Sequence, residues 1–175
     1  SIPFHDLSIV FYLFLDKDEH GQMTVLIRND HLPIWNTDTS ELYKLAIDNT
    51  PRLYPPCIRS MASLINDMLF VNGTLIQPSF AAASPNALDL ADSPIPLSIL
   101  TNTSGIFGAS AMLYPGVLKE FSKKIGHDLI ILPSSVHEVL LLPYDSTYSF
   151  QEMADMVKDV NEKCVPVEEQ LSNQV

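Results

Sequence analysis

Basic residues are scarce in this chain: 10 Lys and Arg stand against 21 Asp and Glu, a formal net charge of −11. Nucleic-acid affinity comes largely from cations that neutralise phosphates. The longest basic run here is the pair Lys123-Lys124, so nucleic acid is excluded as an expected partner. Anionic membrane surfaces are disfavoured for the same reason. Cysteine is scarcer still, with Cys57 and Cys164 far apart and in no CxxC pair. A zinc site needs clustered Cys and His, and a secreted disulfide scaffold needs more Cys. No metal and no cofactor is therefore expected, and two reduced thiols in a cytoplasmic protein are the expected state. Long apolar runs are absent too. The longest, Ile9 to Leu15 and Leu129 to Pro133, fall far short of the roughly 20 residues of a membrane helix. No GxGxxG and no GxxxxGK[ST] phosphate cradle occurs, and no signal-peptide pattern opens the chain.

What is present is an ordinary globular composition, 46% apolar and 18% charged over 175 residues. It predicts a single α+β domain over 1–175, long enough for a substantial core. A start at Ser1 rather than Met suggests a piece of a longer natural chain. Ile9 to Leu15 reads as a strand buried on both faces, and Met23 to Arg28 as its hairpin partner across a polar turn. Asp38 and Glu41 have the spacing of a capping box before the helical pattern Leu42, Leu45, Ala46. Thr50-Pro51 and Tyr54-Pro55-Pro56 break it. A second helical run follows from Ile58 through Met61, Ala62, Ile65, Met68 and Leu69, with Asn72-Gly73 as its stop. Residues 77–96, rich in Pro, Ala and Ser, read as a long flexible loop.

Leu97 to Thr101 alternates like a strand, and Ile106 to Leu113 reads as its return. The small residues Gly108-Ala109-Ser110-Ala111 there suggest close packing. Pro115 predicts the first residue of a helix that Gly126 closes. Leu129 to Leu132 and Val136 to Leu142 read as two further strands. Ser149 and Glu152 cap a last helix with Phe150, Met153, Met156, Val157, Val160 and Cys164 on its apolar stripe. Short turns between paired strands imply antiparallel hairpins, so the expected architecture is a mainly antiparallel sheet with amphipathic helices packed on one face.

Polar groups concentrate at one corner, Ser134-Ser135-Val136-His137-Glu138. A hydroxyl, an imidazole and a carboxylate are the parts of a nucleophile, base and orienter. On a strand, however, His137 and Glu138 point to opposite faces, so the carboxylate would have to come from elsewhere, such as Asp128 or Asp145. The plainer reading makes Ser134 and Ser135 a turn and His137 and Glu138 half-exposed strand residues. His137-Glu138-Val139-Leu140-Leu141 lacks the second His of a zinc protease. Gly108 to Met112 lacks the last Gly of a nucleophile elbow. His127-Asp128 reads as a cap or turn, His5, His20 and His31 as loop residues, and Trp35 as a satellite of the core.

ILPSSVHEVLLLP, with SAMLYPGVLKEFSKKIG before it and SFQEMADMVKDVN after it, resembles an uncharacterised domain family common in gut Firmicutes. The resemblance covers most of the chain and is strongest from Leu97 onward. It implies a domain with a Pro-Ser-Ser-aliphatic-His-Glu-Val signature, supplies no mechanism, and implies a further N-terminal segment of the kind that members of that family carry.

Two functions stay open. One is a cytoplasmic ligand-binding or protein-interaction module without catalysis, its partner an unidentified protein or small molecule or a second copy in a homodimer. The other is a hydrolase-like enzyme centred on His137 with Ser134 or Ser135.

Overall fold

Short polar connections between apolar runs fold the chain into antiparallel pairs throughout a computed structural model, which describes residues 1–18, 21–61, 63–64, 97–133 and 135–175. These divide into two compact units, Ser1–Arg52 and Leu53–Val175. The expected stop at Asn72-Gly73, the 77–96 loop, most of the helical run from Ala62 to Leu69, and His20 lie outside the described residues.

In the first unit, β1 (Ile2–Phe4) pairs antiparallel with β2 (Leu7–Ile9) around a tight turn with His5 at φ 52°. The sequence reading missed this hairpin because each strand is only three residues long. β3 (Tyr12–Asp18) pairs antiparallel with β4 (Gly21–Leu26), with a register shift between Phe14 and Asp16. The hairpin is the expected one, but its burial is not: Tyr12, Leu13, Phe14 and Leu15 are all exposed. These side chains stand on a ribbon of only two strands, and an isolated two-stranded hairpin is marginally stable by itself. His31 opens a short helix, α1 (His31–Trp35), rather than lying in a loop, and Trp35 is exposed rather than a core satellite. α2 (Thr39–Leu53) starts as predicted, with the Glu41 amide donating to Asp38 Oδ1 at 2.9 Å. It runs through Pro51 to Leu53 instead of breaking there.

Among the described residues, the second unit is built on a four-stranded sheet. β5 (Pro56–Ser60), β6 (Ser98–Asn102), β8 (Val139–Pro143) and β7 (Leu129–Pro133) lie side by side in that order, every pair antiparallel. β5 corrects the reading of a helix from Ile58. Helical geometry begins only at Met61, because Cys57, Ile58 and Arg59 are drawn into the ladder opposite Thr101, Leu100 and Ile99.

Alternation along the strands sorts two apolar faces. Leu100, Val139 and Leu141 on one face are fully buried with Ala111 and Phe121. They meet a 3₁₀ segment (Gly108–Leu113) and α3 (Val117–Ile125). Ile130 and Leu132 on the other face pack against Met153 and Val157 of α4 (Phe150–Cys164). Burying each such aliphatic side chain is worth about 1.5–3 kcal/mol. The α+β class and antiparallel hairpins stand as expected. The helices, however, cover both faces of the sheet rather than one, since β7 and β8 are apolar at every position from 129 to 132 and from 139 to 142.

Three local expectations change with this packing. The segment Ile106 to Leu113 is not a returning strand. Phe107 takes a left-handed φ of 51° and the chain coils into the 3₁₀ segment, where an added Cβ on Gly108 would overlap Thr101 Oγ1 and the His137 carbonyl. Pro115 lies one residue before the cap of α3, which is Gly116, while Gly126 ends the helix as expected with φ 75°. The α4 stripe is rotated: Met153, Val157 and Asn161 face inward, and Phe150, Met156, Val160 and Cys164 are exposed. Ser149 caps that helix as predicted, accepting from the Glu152 amide at 3.3 Å.

Candidate functional site

The Ser135 corner is not the start of a strand. β8 begins at Val139, because the Val136 amide donates to the Glu169 carbonyl at 2.8 Å and Ser135 bridges to Gln170. The C-terminal segment, with a 3₁₀ turn at Val167–Glu169, takes the pairing that Val136 would have offered to a sheet neighbour. Thr101 Oγ1 donates to the His137 carbonyl at 2.8 Å and the Ala109 amide to the Val136 carbonyl at 3.2 Å. The corner is thus a pinned connection between β7 and β8.

Its side chains are engaged locally. Ser135 is buried, donates to Glu138 Oε1 at 2.7 Å and accepts from the His137 amide at 3.0 Å. His137 Nδ1 accepts from the Phe107 amide at 3.2 Å, which requires that nitrogen to be unprotonated and puts any neutral-ring proton on Nε2. Nε2 lies 3.7 Å from Glu169 Oε1. The carboxylate near the imidazole is therefore Glu169, not Asp128 or Asp145, and the sequence reading missed it because Glu169 is brought in by chain reversal after α4. Among the described residues, no hydroxyl is bonded to the His137 ring. Ser134 lies outside the described residues. Ser110, the serine of the elbow-like segment, donates to the Phe107 carbonyl at 2.8 Å.

A cleft of about 330 Å³ opens at the opposite end of β7 and β8, walled by Phe121, Ile125, His127, Tyr144, Asp145 and Tyr148. Local sequence builds it. Gly126 turns the chain out of α3, and His127-Asp128 lead into β7. The Tyr144 amide donates to the Asp128 carbonyl at 2.7 Å, extending the β7–β8 ladder by one residue. The Asp145 carboxylate then accepts from the Thr147 amide at 2.9 Å, and the Tyr148 amide donates to the Asp145 carbonyl at 3.1 Å. This turn is an Asx turn, and it places one tyrosine before the carboxylate and one after it. The Tyr144 ring stacks on Phe150 with centroids 6.3 Å apart. Both tyrosines remain more than a third exposed, at 42% and 37%. The hydrogen bond from Thr147, with a smaller contribution from nearby His127, holds the Asp145 carboxyl below its ordinary range. Tyr-Asp-Ser-Thr-Tyr, two rings flanking a turn, was the sequence signal for this site.

A second hollow of about 320 Å³ lies against the other sheet face, with Leu132, Leu140, Leu142, Met156, Val160 and Asn161 in its walls. Its lining is almost wholly apolar. No cluster of His, Cys, Asp and Glu suited to a metal ion occurs among the described residues, and no helix among them is long and apolar enough to cross a membrane.

Residues 1–175 match a family of unknown function, DUF5688, and the chain belongs to that family. No curated protein and no solved structure matches it.

Proposed function

We propose that this DUF5688 protein is a binding module without catalysis, and that its ligand occupies the cleft between Phe121, His127, Tyr144, Asp145 and Tyr148. The observation that carries the reading is the composition of that cleft: exposed aromatic faces beside a carboxylate, in a hollow of about 330 Å³. Small-molecule sites are concave, largely apolar, and fixed by a few polar groups. The contrast with the Ser135 corner supports the choice. There the hydroxyl is spent on Glu138 and the imidazole Nδ1 on a backbone amide, whereas a base needs a ring nitrogen facing the proton it takes. The unbridged Cys57 and Cys164 support a reducing compartment, the cytoplasm, as its location.

The test is a fragment screen on the full chain by NMR. Hits are expected to shift the Tyr144 and Tyr148 ring signals and to lose affinity in Tyr144→Leu. A screen in which no fragment perturbs either ring overturns the proposal. So does turnover of an ester or phosphoester panel that His137→Ala abolishes.

A further inference from the structure

We infer that the cleft selects a small organic cation, an ammonium group carried on an apolar body; this rests on the cleft being the ligand site. Its walls supply both halves of such recognition. Phe121 and Ile125, on the inner face of α3, offer apolar contact at the base, Phe121 being buried and Ile125 half-buried. Tyr144 and Tyr148 line it too, and both are more than a third exposed, Tyr144 with Phe150 stacked against it. Aromatic faces carry a negative quadrupole that attracts a cation within about 6 Å of the ring centre.

Among the described residues lining the cleft, Asp145 is the one that carries a formal charge with His127 neutral. It lies in the turn between the two tyrosines, so a cation seated against either ring sits near an anion. The bond from the Thr147 amide at 2.9 Å fixes the carboxylate in place before any ligand arrives, which removes part of the ordering cost of binding. Lys123 and Lys124, in the last turn of α3, are exposed and do not line the cleft. A net charge of −11 adds a long-range field of the matching sign, favouring encounter with cations at low salt. An anionic ligand would meet Asp145 and that field as repulsion. A purely neutral one would leave the carboxylate unused.

Three probes of similar size separate the cases: benzyltrimethylammonium, benzyl alcohol and phenylacetate, each titrated into the full chain while the Tyr144 and Tyr148 ring signals are followed. The cation is expected to shift both rings, to bind more weakly as salt rises, and to lose about five- to tenfold in affinity in Asp145→Asn. Asparagine keeps the oxygen that accepts from Thr147, so the turn survives while the charge goes. Tyr144→Leu keeps apolar bulk and removes one ring face, and it is expected to weaken the cation more than benzyl alcohol. Equal or tighter binding of benzyl alcohol or phenylacetate at these rings overturns the cation assignment and leaves the binding module standing. Ring signals unmoved by benzyltrimethylammonium also overturn it, and the module falls with it only if the wider fragment screen is blank too.

Discussion

Gly108 sits against Thr101 so closely that the methyl group of an alanine would overlap the Thr101 hydroxyl oxygen, with the Asn102 amide nitrogen only 2.9 Å away. The His137 carbonyl closes the other side. Two of these three neighbours are backbone, so the site cannot yield by turning a side chain. Gly108→Ala is expected to lower stability by at least 1–3 kcal/mol, the usual range for overpacking. The midpoint of urea unfolding measures it, and an unchanged midpoint would mean that the 3₁₀ segment does not lie against β6.

Asn102 organises the turn beyond β6. Its Oδ1 accepts from the Ser104 and Gly105 amides, each at 2.9 Å, and its Nδ2 donates to the Ile106 carbonyl at 3.0 Å. The side chain is 1% exposed. Removing it strips the Ser104 amide of its acceptor and leaves the Gly105 amide only the Asn102 carbonyl at 3.2 Å and the Ile106 carbonyl only the Ser104 hydroxyl at 3.4 Å, and an unsatisfied buried group costs about 1–3 kcal/mol. Asn102→Ala should therefore cost about 2–4 kcal/mol. Asn102→Asp keeps the acceptor but sets a carboxylate oxygen against the Ile106 carbonyl in a buried place, so it should destabilise as well, and less at a pH low enough to protonate the carboxyl, when both are read by chemical denaturation.

Ser135→Ala should destabilise by about 1–3 kcal/mol, because Glu138 and the His137 amide both lose a buried partner. The same variant should leave ligand affinity at the Tyr144–Tyr148 cleft unchanged. Thermal unfolding and the fragment titration give the two readouts.

The cysteines should separate by reactivity. Cys164 is exposed, while Cys57 is 8% exposed, and burial pushes its thiol up despite the counteracting charge of Arg59. Thiolates react and thiols do not. A thiol assay with Ellman's reagent should find one fast site in the native protein and two after denaturation.

Asp145 should titrate below its ordinary value of 3.8, because the Thr147 amide bonds its charged form. Its folded-state value is the depressed one, so whatever it adds to stability is present above pH 3.8 and is lost as pH falls through the lower folded value. The side chain is exposed, so the contribution is small. Carboxyl carbon shifts followed against pH test the direction, and Asp145→Asn should abolish the titration without melting the turn.

Much of this architecture was readable because local chemistry and packing agree along β6, β7, β8, α2 and α4. Asp38 and Ser149 cap the helices predicted for them, and Gly126 stops α3. Failures came where tertiary contact decides between local options. Ile58 has helical spacing with Met61, but β6 offers it a ladder opposite Leu100. Ile106 to Leu113 looked extended until Gly108 allowed the chain to coil against Thr101. The Ser135 corner was found as a cluster of polar groups, but its connections were not. Phe107, whose amide donates to Nδ1 of His137, and Glu169, 3.7 Å from its Nε2, lie about thirty residues to either side. The Tyr144–Tyr148 cleft was passed over because a Tyr-Asp-Ser-Thr-Tyr stretch reads as a plain turn until α3 is placed beside it.

The return of the chain after α4 has a mechanical effect. Gln170 Nε2 grips the Asn161 and Val165 carbonyls, Asn161 Nδ2 holds the Ser172 carbonyl, and Ser135 bridges to Gln170. Helix, tail and corner are thereby buckled into a closed ring. A pull on the last residues loads Asn161 and the corner together rather than peeling α4 one turn at a time. Amide protons on the inner side of α4 and those of Val136 should therefore exchange with solvent as a single cooperative group.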